Sequence, residues 1–166
     1  MGAAAMQAVM GHPQLVGGLW HCFAVSRPLC REDFNQGEHS VVQRAFISFD
    51  YDNDARLKDL LVGQSKNPDS PFEVHDWSIK TASPTWREEA RRRIRASGLV
   101  IVLCGKYTHL ATGVGVELGI AQAESVDYFL LAGYQEGSTR PTTARATDKM
   151  YDWTWENLKK LVNGAR

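Results

Sequence analysis

LVIVLC, Leu99 to Cys104, is an uninterrupted apolar run of strand length. With no polar residue alternating through it, it reads as a strand covered on both faces, which is the signature of the centre of a parallel sheet. Upstream, Thr85 starts a helix whose Trp86, Ala90 and Ile94 share one face, while Glu88, Arg91, Arg92 and Arg95 fall elsewhere and leave RRRIR as a solvated surface. Phe72 to Trp77 reads as a further strand. Before it, Asn53 or Asp54 can cap a helix carrying Leu57, Leu60 and Leu61. VVQRAFISF, from Val41, is rich in β-branched and aromatic residues and ends at DYDND, which marks the first strand.

Downstream, the loop GKYTHLATG leads into VGVELGIAQAE, a helix with Val116, Ile120 and Ala123 expected inward, and then YFLLAGY, another buried strand. Gln135 to Lys149 reads as a polar loop. WTWENLKKLV supplies a last helix with Trp155, Leu158 and Leu161 or Val162 on one face. Strands alternating with helices in this way predict a parallel doubly wound sheet. Residues 1–40 mix Gly, Pro, His and Cys without sustained periodicity and read as an irregular extension, with the α/β domain occupying 41–166.

The net charge of zero and the 23% content of charged residues argue against a polyanionic partner, so no nucleic acid is expected. Cys22, Cys30 and Cys104 are odd in number and form no CxxC pair, which disfavours a disulfide framework or a zinc knuckle and points to a reducing, cytoplasmic setting. No apolar run approaches the roughly 18 residues of a membrane span. The N-terminus has no basic stretch of the kind that opens a secretory signal.

In an open parallel sheet, ligands bind outside the carboxyl ends of the strands. That rule selects Asp50, Tyr51 and Asp52; His75, Asp76, Trp77 and Ser78; and Gly105, Lys106, Tyr107, Thr108 and His109. Glu117, early in the helix that follows, can face the same crevice. Its apolar neighbours raise its pKa while the positive end of the helix favours ionisation, and the sequence leaves that balance open. An ionised carboxylate there suits the breaking of an N-glycosidic bond, because it can stabilise an oxocarbenium-like ribosyl centre. Tyr51, Trp77 and Tyr107 could stack on a planar base.

Other chemistries fit less well. DYDND rather than GxGxxG follows the first strand, so Gly113, Gly115 and Gly119 are not a dinucleotide fingerprint. Asp50, Asp52 and Lys106 loosely resemble the acidic pocket of receiver domains, but Cys104 stands where a receiver carries its phosphorylated Asp. Cys104 with His109 or His75 is the one thiol–imidazole option, and a buried, inert cysteine is the alternative.

RAFISFDYDND, HDWSIK, the helix before SGLVIVLCGKYT, GVGVELGIAQA and WTWENLKKL, taken in order, resemble the TIR-like family that includes the signal-producing subunit of Thoeris antiphage systems. The resemblance spans roughly Arg44 to Val162. It implies a flavodoxin-like three-layer α/β/α fold with a mainly parallel sheet of four to five strands. In active members it implies cleavage of the nicotinamide–ribose bond of NAD, giving ADP-ribose or a cyclic ADP-ribose isomer. Glu117 matches the family's catalytic Glu, and Phe49 to Asp52 match the edge of its nucleotide pocket. Trp77 to Thr81 take the position of a loop that closes over ligand or mediates assembly.

The expected substrate-binding set is therefore Phe49, Asp50, Tyr51, Asp76, Trp77, Ser78, Tyr107 and Thr108. NAD is expected as substrate rather than cofactor, with no metal, and a downstream effector reached by a diffusible signal or a homo-oligomer as further partners. Many relatives carry an aromatic or basic residue just before the glutamate, where this chain has Gly113, Gly115 and Val116. That departure motivates a second reading, a non-catalytic TIR-like assembly module. ATGVGVELGIAQA also resembles the helix of nucleoside deoxyribosyltransferases, a third reading with the same bond class.

Overall fold

The computed structural model describes residues 42–78 and 84–165. The expected irregular extension, Cys22 and Cys30 lie outside them. Chain order is β1 (Gln43–Ser48), α1 (Ala55–Ser65), β2 (Phe72–Trp77), α2 (Trp86–Ser97), β3 (Leu99–Cys104), a 3₁₀ turn (Thr108–Leu110), α3 (Thr112–Ala123), β4 (Asp127–Ala132), β5 (Met150–Asp152) and α4 (Trp155–Val162). The strands form one five-stranded sheet in the order β2-β1-β3-β4-β5, and every pairing is parallel. This is the doubly wound, flavodoxin-like order, whose direction of winding reverses between β1 and β3.

The central strand explains the layering. All six residues of β3 are buried. Because successive side chains alternate across a strand, Leu99, Ile101 and Leu103 pack with Leu57 and Leu61 of α1 and Leu158 and Leu161 of α4. Val100, Val102 and Cys104 pack on the opposite face with Ala90 and Ile94 of α2 and Val114, Leu118 and Ala121 of α3. Two half-cores thus share one strand, and LVIVLC carries no polar residue because it has no solvent side.

The same alternation governs β1. Ala45 and Ile47 belong to the α1/α4 face, and Phe46 to the α2/α3 face, so Ser48 follows Phe46 onto the face occupied by α3. Between β1 and β2 the register slips: Ala45 pairs with Val74 but Phe46 pairs with Asp76, leaving His75 as the extra residue of a bulge. Bulges are frequent on edge strands, where they re-aim side chains and discourage further pairing.

Several expectations are corrected. Leu60 is 56% exposed, so α1 buries Leu57 and Leu61 alone of its expected stripe. Asp54 stands at the N-cap of α1 but makes no side-chain capping bond. On α3 the buried face is Val114, Glu117, Leu118, Ile120 and Ala121, whereas Ala123 is exposed and Val116 half-buried. With Glu117 buried, Val114, Leu118 and Ala121 face inward beside Ile120 in place of the expected Val116 and Ala123. β5 begins at Met150, directly after the expected loop Gln135 to Lys149, and is the fifth strand that the resemblance allowed but the residue pattern did not place, since three residues supported only by β4 have too little pattern to be seen. RRRIR is not purely solvated: Arg93 bonds both Asp76 and Glu89, and Arg91 reaches Glu88 and Glu124.

Gly98 ends α2 in the left-handed conformation, φ 75°, with its N–H donated to Ile94. A Cβ there would meet no atom within 4 Å, so Gly98→Ala should cost about 1 kcal/mol through backbone strain alone. Urea denaturation should show the midpoint lowered with an unchanged slope.

Candidate active site

The carboxyl ends of β1, β2 and β3 open onto a cleft of about 700 Å³, within the range of small-molecule sites. It lies where the winding reverses, between β1 and β3. One wall is the β1–α1 loop, Phe49 to Asn53, and the opposite wall is formed by Tyr107 and the stretch Leu110 to Val114, with Ser78, Trp86 and Glu117 completing the lining.

Glu117 is the buried carboxylate of the cleft lining. It is only 2% exposed, and its Oε2 accepts two hydrogen bonds, from Ser48 Oγ at 2.6 Å and from Ser78 Oγ at 2.6 Å. Each serine is placed by the sheet. Ser48 is the last residue of β1 on the α3 face. Ser78 extends β2 by one residue, its N–H donated to Ile47 O at 2.9 Å, and its Oγ also accepts the Phe49 N–H at 3.1 Å. Among the described residues no donor reaches Oε1, and Glu117 lines the cleft. One oxygen is anchored, and the other has no donor among the described residues.

Burial raises the Glu117 pKa from 4.5 to about 7, against the pull of the two serine hydroxyls, which favour the charged form. Desolvation therefore wins the contest that the sequence left open. Ser48→Ala removes one of the opposing bonds, so the Glu117 midpoint should move up by about one to two pH units, given that hydrogen bonds to a charged group contribute about 1.5–3 kcal/mol. Titration of the Glu117 carboxyl carbon by NMR reads this without any assumption about activity; an unmoved midpoint would mean the bond adds nothing.

Over residues 46–130 the sequence matches the family model described as Thoeris protein ThsB, TIR-like domain. The chain belongs to this Thoeris TIR-like family. The matched span runs from Phe46 in β1 to Leu130 in β4 and contains Ser48, Ser78, the cleft walls and Glu117. Among curated proteins none matches the chain. Family membership makes it a TIR-like domain of the antiphage type.

Of the site residues expected in this TIR-like domain, the cleft gathers Phe49, Asp50, Tyr51, Ser78, Tyr107 and Glu117. The rings of Phe49 and Tyr51 stack with centroids 5.6 Å apart and planes 28° from parallel. Ser78 serves as a support for Glu117 as well as a lining residue. Three others stand outside the lining. Asp76 is bonded to Arg93 at 2.8 Å, Trp77 lies on the edge strand under the Lys58 ammonium, 5.5 Å from its ring centroid, and Thr108 turns inward, 1% exposed. Of the loop Trp77 to Thr81, residues 79–81 lie outside the described residues.

Sequence reasoning missed Ser48, Asn53, Trp86 and the stretch 110–114. Ser48 was findable, being two residues beyond the buried Phe46 on one strand. Trp86 was assigned to the right helix face, which turns out to border the cleft at its first turn. Among the described residues Cys104 bonds only weakly, to Val102 O at 3.7 Å, and burial together with the nearby Asp54 charge pushes its thiol up to about 12. His109 Nδ1 instead meets Thr139 Oγ1 at 3.0 Å, so the thiol–imidazole option has no geometry behind it. No helix of the described residues is long and apolar enough to cross a membrane.

Proposed function

We propose that this TIR-like domain cleaves the nicotinamide–ribose bond of NAD and releases ADP-ribose or a cyclic isomer of it as a signal in antiphage defence. The observation that supports the reading is Glu117 with Oε2 tied to two serines and Oε1 left to the cleft. In NAD the nicotinamide ring is already cationic, so the C1′–N bond can break with its electron pair passing to the ring, and neutral nicotinamide leaves without a proton donor. The ribosyl centre is left electron-poor. A carboxylate oxygen beside it stabilises that charge as it develops. Water then adds at C1′ and gives up a proton, producing ADP-ribose, or a ring nitrogen of the adenine closes the cycle.

The stacked pair Phe49 and Tyr51, with Trp86 and Tyr107 across the cleft, offers flat apolar surface to a planar ring. An aromatic directly before Glu117 is not needed for that purpose here; Val116, which stands there, is half-buried and packs against the α2/α3 core. A diffusible product would reach an effector without a stable complex.

Incubation of the purified chain with NAD, alone and with lysate of phage-infected cells, should release nicotinamide in at least one condition. Release in neither would sink the proposal. Base exchange between deoxynucleosides would instead identify a deoxyribosyltransferase. The assembly reading retains one observation of its own, Trp77 standing 43% exposed on the edge strand β2; concentration-dependent assembly that survives Glu117→Gln and fails in Trp77→Ala would favour it.

A further inference from the structure

Asp54 is a buried acid that the proposed chemistry does not use. It is 2% exposed, and its Oδ2 has no hydrogen-bond partner among the described residues. At the N-cap of a helix an aspartate ordinarily accepts a bond from its own first turn, yet here the side chain makes none. It turns instead across the top of the sheet toward the loop after β3. An ideal Cβ on Gly105 would stand 2.0 Å from Asp54 Oδ1, so the carboxyl group occupies the notch that this glycine leaves open. Thr108 Oγ1 accepts the Gly105 N–H at 2.7 Å, which leaves its own proton to donate to the Asp54 carboxylate.

We propose that Asp54 is a positioning residue that clips the two walls of the cleft together, tying the β1–α1 loop to the loop that carries Tyr107 and Leu110. Asp54 sits one residue beyond the first wall, Phe49 to Asn53, and its N–H is donated to Asp50 O at 2.7 Å. On the other side it engages Gly105 and Thr108, which bracket Lys106 and Tyr107. Both walls move if this contact opens. The inference rests on the cleft being the ligand site, and it concerns the shape of that site rather than the bond that is broken there.

The clip has a protonation state. The charged and titratable groups around it are Asp50 from its own loop and Cys104 from the end of β3, with Arg140 acting on Cys104 from the β4–β5 connection, while Thr108 of the 3₁₀ turn faces it as a neutral hydroxyl. Burial and the Asp50 charge hold the Asp54 carboxyl at about 6, against the Thr108 bond. Below that pH a proton removes the repulsion between the two aspartates and the walls stay docked. Above it the ionised group, with one oxygen unpartnered, favours release.

Amide hydrogen exchange on the full chain tests this without any substrate. In the wild type, protection of residues 49–53 and 105–111, corrected for intrinsic rates, should fall several-fold as pH rises through 6, and Asp54→Asn should make it independent of pH. Asp54→Ala should lower protection in both segments together, and Gly105→Ala, which evicts the carboxyl group, should do the same. If NAD is cleaved, Asp54→Ala should raise KM about ten-fold with kcat within about three-fold, and Asp54→Asn should restore KM. Protection in 105–111 that ignores Asp54→Ala, or a pH response that survives Asp54→Asn, would overturn the clip; if Asp54→Ala does not fold, the Asp54→Asn comparison decides alone. Absence of nicotinamide release with the exchange pattern intact would remove the proposed reaction and leave the clip standing.

Discussion

Glu117→Gln should abolish activity and stabilise the protein at the same time. On the reaction proposed above, loss of the anionic oxygen should lower nicotinamide release on the order of 100- to 1,000-fold, the usual cost of removing one electrostatic stabiliser from a transition state. Stability should move the other way. The folded Glu117 carboxyl titrates at about 7 against 4.5 for an ordinary glutamate, so the folded state holds this proton more tightly than the unfolded chain does. Its contribution is therefore fully present below about pH 4.5 and is lost as pH rises through 7.

Gln does not ionise and escapes that loss. Above pH 7 the variant should be more stable than the wild type by up to about 3 kcal/mol, taking 1.36 kcal/mol for each unit of pKa displacement, while near pH 4.5 the two should converge. Urea titrations at pH 4.5 and 8 measure the difference. Equal stability at both would mean that Glu117 is not desolvated in solution. Equal nicotinamide release by wild type and variant would remove Glu117 from the reaction altogether. Opposed effects on rate and stability are what a functional group held in an unfavourable setting produces.

Phe46→Ala should bring the largest loss of stability. Phe46 is fully buried on β1 and packs with Ala90 and Ile94 of α2, Val100 and Val102 of β3 and Leu118 of α3. Truncation of a buried Phe costs about 3–5 kcal/mol, a large share of the 5–15 kcal/mol that holds a typical domain together. The melting temperature should fall on the order of 10–20 °C. Phe46→Leu, which keeps most of the volume, should lose far less. Phe46 also sets the lie of β1 two residues before Ser48, so the truncated variant should bind ligand more weakly even where it remains folded. A melting temperature within a few degrees of wild type would show that the helix layer does not depend on this ring.

The strands that the sequence made legible were those whose environment is uniform. β3 is buried on both faces along its whole length, and β2 is bounded by breakers, so composition and length sufficed for each. β5 was invisible because three residues with one neighbour have no periodicity to show. The face of α3 was misjudged for a physical reason: its apolar residues are spread around the helix, and the residue that decides its rotation is a glutamate drawn inward by Ser48 and Ser78 on two different strands. No pattern within α3 contains that information. The cleft was located from the strand ends, and the same rule selected Asp76, Trp77 and Thr108, which stand outside its lining. What separates them from Phe49, Tyr51 and Tyr107 is the bulge at His75, the Arg93 partner of Asp76 and the Gly105 notch, all of them long-range contacts.

The double anchorage of a single oxygen carries one more consequence. With Oε2 accepting from both serines, a proton taken up by Glu117 resides on Oε1, the oxygen that on the proposed reaction faces the ribosyl carbon. The carboxyl is thus a one-faced reagent. On the proposed reaction a ribosyl ring lying against it would be shielded on that side, the incoming nucleophile should approach from the opposite one, and the handedness of the product at its anomeric carbon would follow from where β1 and β2 end.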